Sequence, residues 1–478
     1  MTRKLISLLC VSALAACTLE PHYVRPEPAV PPSWPVGDAY LRSTEASLPT
    51  VSYRDIFRDP RLQAIIEPAL TNNQDLRIAM ANVASARAQY HIERAALLPD
   101  IAADARLTTG DSGNARSTGS TATGTPSGAG RTTSYQANIG MTAFEIDLFG
   151  RIQSLTRAAQ QEYLGTAAAA RGARLTLVAE VATAYLTLAT DRSLLAIAAE
   201  TEASATRSVD LTSARLTGGI APRTDVRQAE TVLAQARSDH ANQTTLVAQD
   251  RNALELLVGA PVADSLLPTS IESVDGELAE LPAGLDSRIL LRRPDVVQAE
   301  YGLRAANARI GAARANFFPT ISLTALAGFA STALSSLFTG GAFAWSVAPS
   351  ATLPLFDGGA NAGNLSYAKA QRDLAVAQYQ KAIQTAFSEV ADALARRGTI
   401  DRQFKAQVDL ESSSADNYRL ADARYREGID PYLSALDAQR TLYTARRSLA
   451  SARLVRANSL VTLYRTLGGD MLLDIPAK

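Results

Sequence analysis

Two periods divide this chain. In four short stretches apolar residues recur at every second position. Ile101, Ala103, Ala105 and Leu107 stand against Ala102, Asp104, Arg106 and Thr108, and Tyr135, Ala137, Ile139, Met141 and Ala143 against Ser134, Gln136, Asn138, Gly140 and Thr142. Ile321, Leu323, Ala325, Ala327 and Phe329 follow, and then Phe343, Trp345 and Val347 against Ala344, Ser346 and Ala348. Period two with unlike faces predicts strands that meet two different surroundings. Around them the pattern is helical. A helix is expected from about Asp59 to Leu97, with Pro60 in its first turn and Pro99 past its end. A longer one is expected from about Arg151 to Leu216, turning at Gly218-Gly219-Ile220-Ala221-Pro222 and returning to about Val258. Another runs from about Ala360 to Arg426 and returns from Pro431 to about Leu467. Val178, Val181, Tyr185 and Leu188 have the three-four-three spacing of a coiled-coil seam. Roughly 65 helical residues span about 100 Å, more than a compact domain needs.

The pattern occurs twice. Leu98-Pro99-Asp100-Ile101 and Phe318-Pro319-Thr320-Ile321 lie 220 residues apart, as do Asp75 and Asp295, Ala88 and Ala308, and Arg94 and Arg314. Ala214-Arg215…Gly219-Ile220 returns as Ala423-Arg424…Gly428-Ile429 at an offset of 209. The offset shrinks across the strands, which assigns the extra residues to the first strand loop, where Ser117–Gly130 is almost wholly Ser, Thr, Gly and Ala. A repeat this long is a structural half, not a solenoid unit. The expected organisation is residues 1–16 as a signal peptide, 17–58 as an extended N-terminal segment rich in proline, and 59–258 as the first repeat. That repeat holds a strand hairpin over about 100–147 and a helical tip at about 217–222. Residues 259–287 read as a linker lying against the helices. Residues 288–467 form the second repeat, with its strand hairpin over about 319–356 and tip at about 426–431, and 468–478 are a tail.

Composition narrows the chemistry. Lys and Arg number 47, balanced by 47 Asp and Glu, which removes any case for general nucleic-acid binding. Aromatics are 6% and alanine runs are frequent, favouring long, closely packed helices. Arg3-Lys4, the apolar run Leu5–Leu14 and Leu14-Ala15-Ala16-Cys17 form a targeting signal too short to span a bilayer as a mature helix. Leu-Ala-Ala-Cys resembles a bacterial lipobox, which implies acylation of Cys17; an ordinary secretory signal is the alternative. Cys10 falls within the removed peptide, so the mature chain would keep one cysteine and no internal disulfide. Thr18, where Asp would imply inner-membrane retention, favours sorting to the outer membrane. His22, His91 and His240 are scattered, and no hydrolytic, zinc or phosphate-loop pattern appears. Phe356-Asp357-Gly358-Gly359 reads as a strand-to-helix junction, and no cofactor is expected.

Four strands of about ten residues match a membrane β-strand, but closed membrane barrels begin at about eight strands. An open edge in lipid leaves backbone groups unpaired, so closure needs several chains. Two chains would fill their interior with side chains, whereas three would supply twelve strands and leave a lumen. A soluble sandwich edge is the other home for such a pattern.

Phe57-Arg58-Asp59-Pro60-Arg61-Leu62, Asn73-Gln74-Asp75-Leu76, Leu291-Arg292-Arg293-Pro294-Asp295-Val296, Phe317-Phe318-Pro319-Thr320-Ile321 and Leu433-Ser434-Ala435-Leu436-Asp437-Ala438-Gln439-Arg440 resemble the TolC-like outer-membrane channels. With the lipobox, the likeness is to the NodT-like lipoprotein branch. The resemblance implies a homotrimer, a twelve-stranded β-barrel continuous with a twelve-helix α-barrel, and an equatorial collar. It also implies partners: a periplasmic adaptor, an inner-membrane RND-type pump and outer-membrane lipid. Departures are Glu20-Pro21-His22-Tyr23 near the anchor and Gly468-Gly469-Asp470-Met471 at the end. Matched to the family motif, Arg426, Leu433, Asp437 and Arg440 would be the periplasmic gate; spacing alone equally fits a solvated charged face. Arg215, Gly218, Gly219, Arg424 and Gly428 would lie on the adaptor-contacting tips, where glycines also serve tight turns. The expected function is a passive exit duct for small molecules. A protein-secretion duct and a non-conducting envelope lipoprotein are the alternatives.

Overall fold

The computed structural model describes residues 18–35, 37–40, 52–111, 131–278, 287–468 and 470. The signal peptide, Cys17, the Ser/Thr/Gly loop at 117–130 and the tail beyond residue 470 lie outside the described residues. In chain order the elements are α1 (Tyr53–Ile56), α2 (Pro60–Asn72), α3 (Gln74–Ala95), β1 (Ala102–Asp111), β2 (Arg131–Glu145), α4 (Arg151–Thr217) and α5 (Arg223–Val258), followed by α6 (Pro294–Ala315), β3 (Thr320–Ser331), β4 (Phe343–Thr352), α7 (Ala360–Arg426) and α8 (Tyr432–Leu467). The duplication is visible in element lengths. Helices α3 and α6 both have 22 residues, α4 and α7 both 67, and α5 and α8 both 36.

The chain divides into two compact units. One, built from Met1–Pro26, Ala84–Leu164 and Tyr301–Ala377, carries the sheet. Its four strands are antiparallel in the order β1-β2-β3-β4. Register makes one face continuous: Leu107 opposes Tyr135, Ala137 opposes Phe329 and Ala327 opposes Trp345, while Asp104, Asn138 and Gly328 share the other face. Gly328 is required there, because a Cβ would lie 2.2 Å from the Ala137 carbonyl oxygen. The expected alternation fails at one point. Met141 pairs with Ala325 but Phe144 with Leu323, so β2 carries one extra residue, and Ala143 adopts φ 54° with its N–H donating to Thr324 Oγ1 at 3.1 Å. The bulge puts Phe144, not Ala143, back on the apolar face. Both outer strands, β1 and β4, have one edge unpaired among the described residues. In the same unit the N-terminal segment lies extended on α6. Asn307 Nδ2 donates to the Pro21 carbonyl at 2.8 Å, Arg314 to that of Leu19 at 3.0 Å, and Gly311 leaves room for Glu20.

The other unit holds Glu27–Val83, Gly165–Glu300 and Gln378–Lys478. Its core is the seam read from spacing: Val178, Val181, Tyr185 and Leu188 are all fully buried. The single helix expected over 59–97 is instead two, parted at Asn73, whose backbone is extended (φ −57°, ψ 131°). Asn73 is buried and serves three helix ends. Its N–H bonds the Ala69 carbonyl, its Oδ1 accepts from Leu76 N at 2.9 Å, and its Nδ2 donates to the Leu257 carbonyl at 2.9 Å near the end of α5. Helix ends leave such groups unpaired, and one amide side chain satisfies them. The second repeat solves the same problem with a different residue. Arg293, at the position matching Asn73, donates to the Thr466 carbonyl at 2.9 Å, and Thr466 matches Leu257. Residues 259–278 lie against the long helices, as where Ser193 Oγ donates to Glu272 at 2.8 Å.

Candidate functional site

Both helical hairpins turn by the same backbone chemistry. At the first tip Ile220 N–H bonds the Arg215 carbonyl and Gly219 N–H that of Leu216, each at 2.9 Å. At the second, Ile429 N–H bonds the Arg424 carbonyl at 2.9 Å and Gly428 N–H that of Tyr425 at 3.0 Å. This double bond needs a left-handed residue, and Gly219 (φ 72°) and Gly428 (φ 73°) supply it. Gly218 is not in that region, so its conformational freedom is not what makes the turn. Pro222 and Pro431 then open the return helices. Ile220 and Ile429, the residues that follow the turn glycines, stand exposed at 71% and 62%.

The matched arginines behave differently. Arg215 leaves its own hairpin: its guanidinium carbon lies 4.7 Å from the Tyr425 ring centroid and its Nη1 donates to the Tyr425 carbonyl at 2.9 Å. Arg424 folds back on its own turn, donating to Asp430 at 2.6 and 3.0 Å, and this holds the Asp430 carboxyl below the usual carboxylate range. Copy one has Ala221 where copy two has Asp430, so Arg215 lacks that local partner. Behind Arg215, Tyr425 and Tyr432 meet at 5.3 Å in a cluster with Ala229, Ala435 and Leu436. Burial pushes the Tyr432 phenol up to about 12.

Leu433, Asp437 and Arg440 fall on one exposed stripe of α8, beside the buried stripe of Tyr432, Leu436 and Gln439. Among the described residues Asp437 and Arg440 form no ion pair with each other or with another group of the chain. Arg426 is turned to Asp422 on its own helix at 2.9 Å. The chain thus brings Leu433, Asp437 and Arg440 to a common face and leaves Arg426 off it in pairing.

Contacts between the hairpins come from residues that periodicity does not mark. Tyr443 Oη donates to Asp239 Oδ2 at 2.8 Å, and Tyr418 and Gln439 both reach Ser204, at 3.2 and 3.3 Å. Burial first, and then Asp239, push the Tyr443 phenol up to about 12. A cavity of about 210 Å³ lies beside this contact, lined by Thr201, Thr231, Gln235, Asp239 and Arg440 among others. No group of three metal-ligating side chains occurs among the described residues. No described helix is long and apolar enough to cross a membrane. What the tips offer is breakable polar contact between two long levers.

Comparison with known proteins agrees with this architecture. A family model described as outer membrane efflux protein matches residues 65–260 and 285–469. The toluene efflux pump outer membrane protein TtgC of Pseudomonas putida is 44% identical over 473 residues, 98% of this chain and 96% of that protein. Outer membrane protein OprJ of Pseudomonas aeruginosa is 41% identical over 463 residues, 97% of this chain and 95% of that protein. The solved open state of the Neisseria gonorrhoeae MtrE outer membrane channel matches with a TM-score of 0.83 at 36% identity, over 95% of this chain and 98% of that one.

Proposed function

The chain belongs to the outer membrane efflux protein family and is an outer-membrane efflux component; from that premise we propose that three copies close one passive exit duct. The observation that carries it is the sheet: four strands share a continuous apolar face, and both outer edges lack a partner among the described residues. Twelve strands enclose a lumen in lipid without unpaired edges, and twelve helices wall the path beneath.

The repeat supports a definite seam between copies. Within the chain, Glu145 pairs with Ser322, Ile146 N–H bonds the Ile321 carbonyl and Phe149 stacks on Phe318 at 4.7 Å. Ile146–Phe149 matches Leu353–Phe356, and Phe318–Ser322 matches Leu98–Ala102. Carried across, β4 pairs with β1 of the next copy, Thr352 against Ala102 of the partner subunit and Phe356 over Leu98 of the partner subunit. Phe356 and Leu98 are 93% and 71% exposed in the single chain, and this seam covers both. Parity agrees as well. Val347 falls opposite Leu107 of the partner subunit, so the apolar face continues without the bulge that β2 needs.

Cys17 acylation would tether each copy to lipid. The exposed tips, with Ile220 and Ile429, are the adaptor surface, and an inner-membrane pump supplies the energy. Small organic molecules are the cargo class, as the name of the toluene efflux relative supports. Leu433, Asp437 and Arg440 form the gate. On the shared face of α8, Asp437 of one copy meets Arg440 of the next, and Leu433 narrows the axis. Each such exposed pair is worth about 1 kcal/mol or less, so the gate yields to adaptor binding. The double variant Asp437→Ala with Arg440→Ala is expected to raise closed-state conductance in planar bilayers. Conductance equal to wild type would remove these residues from the gate.

A further inference from the structure

We propose that the turn at Gly37–Tyr40 is a strap that sets the pivot of the second helical hairpin. This rests on the gating role proposed above and assigns the strap a part in it. Three contacts seat the strap on α7. The Trp34 ring stacks on Phe387 at 4.9 Å with 18° between the planes. Arg402 Nη2 donates to the Asp38 carbonyl at 3.0 Å. Between them the backbone of the turn lies directly on Gly398, where an added Cβ would stand 2.2 Å from the Ala39 carbonyl oxygen. Phe387, Gly398 and Arg402 are eleven and four residues apart, which places them on one helix face. Glycine weakens the interior of a helix, and the three atoms nearest the missing Cβ at Gly398 all belong to the turn. The turn is closed on itself by Tyr40 N–H bonding the Gly37 carbonyl at 3.1 Å.

At the same level α7 is held by other elements. Asp401 accepts from Arg456 of α8 at 3.1 Å. Arg456 also covers the Phe404 ring at 4.9 Å and reaches Asp275 in the segment between the repeats at 3.2 Å, one turn from the ion pair of Arg453 with Glu272. Helix α7 is therefore gripped around Gly398–Phe404. Beyond Arg402, about 24 residues lead to Arg426, a lever of about 36 Å. It meets the first hairpin through separable polar contacts, Tyr418 with Ser204 and Tyr425 with Arg215, and through the small apolar cluster of Tyr425 with Ala229. A long helix fixed at one level and lightly latched at its end moves about the fixed level. The strap belongs to that level, so releasing it loosens the lever at its base.

Gly398→Leu puts a helix-favouring residue into α7 and evicts the turn. Gly398→Ala is the milder companion, and Trp34→Ala with Arg402→Gln releases the strap without altering Gly398. In the purified full-length protein, chymotryptic cleavage at Tyr40 reports release, and hydrogen exchange of residues 403–426 reports lever freedom. We expect Gly398→Leu and the double variant to increase both several-fold, Gly398→Ala less, with exchange at the first tip, residues 205–230, rising less than over 403–426. Bilayer recordings should show a matching rise in resting conductance. Release at Tyr40 with unchanged exchange over 403–426 would overturn the pivot, and a strap that stays seated in the Gly398→Leu variant would overturn its steric basis. Failure of the wild type to conduct would strike the channel reading instead, while the exchange result still decides the strap.

Discussion

Removing the guanidinium of Arg215 should open the closed tips. In the single chain this group bridges the hairpins, donating to the Tyr425 carbonyl at 2.9 Å and stacking at 4.7 Å on the Tyr425 ring. A hydrogen bond from a charged donor to a partly buried acceptor is worth about 1.5 kcal/mol net. Stacking of the half-buried Arg215 cation on the buried Tyr425 ring adds about 0.5 kcal/mol. On the gating proposed above, with this contact made in the closed state and lost in the open one, Arg215→Ala subtracts about 2 kcal/mol from the closed state of each copy. If three copies open together the loss is about 6 kcal/mol, close to a 10⁴-fold change in the closed-to-open ratio. Arg215→Lys retains the charge but not the planar stack and should fall between. Single-channel recording in planar bilayers measures the open fraction directly. The reasoning fails if Arg215→Ala and wild type show the same closed-state conductance and dwell times.

Two further predictions concern the tips and the wall. Gly219→Ala should cost about 1 kcal/mol because its φ is 72°, whereas Gly218→Ala should be neutral or slightly stabilising; thermal unfolding of the two variants separates them. Asp250 sits across the first hairpin from Asp191, which accepts from Gln243 at 3.1 Å, and burial first, then Asp191, push the Asp250 carboxyl up to about 7. Because its folded value is raised, the folded state binds the proton more tightly than the unfolded chain. The resulting stability is complete below about pH 4 and is lost as pH rises through 7. Asp250→Asn should therefore raise the melting temperature at pH 8 and leave it unchanged at pH 4; equal effects at both values would refute the carboxyl pair.

Much of the architecture was legible because length and period are sequence properties. The stripe Val178, Val181, Tyr185 and Leu188 announces a buried seam, and the structure gives α4 as Arg151–Thr217. The break at Asn73 was not legible, since the amide acts through the Leu257 carbonyl, 184 residues away. The bulge at Ala143 was hidden because alanine fits either face of an alternating strand. At the tips the glycines read as turn residues, but Gly218 and Gly219 are equivalent in sequence and only the backbone tells them apart. Arg215 and Arg424 match in the repeat, yet Ala221 in place of Asp430 frees one of them to cross to the other hairpin. Asp239 and Tyr443 carry no local signal at all, because helix period fixes which residues are buried and not how two hairpins rotate against each other.

The claim on which the rest depends is closure of the sheet by copies of the same chain in one register. A doubly substituted chain, Ala102→Cys with Thr352→Cys, tests it in outer membranes under mild oxidation. The account predicts covalent dimers and trimers with no larger species on non-reducing gels, and much weaker linkage when Thr352→Cys is replaced by Pro349→Cys. Exclusively monomeric chains, or a ladder that runs past three, would contradict it.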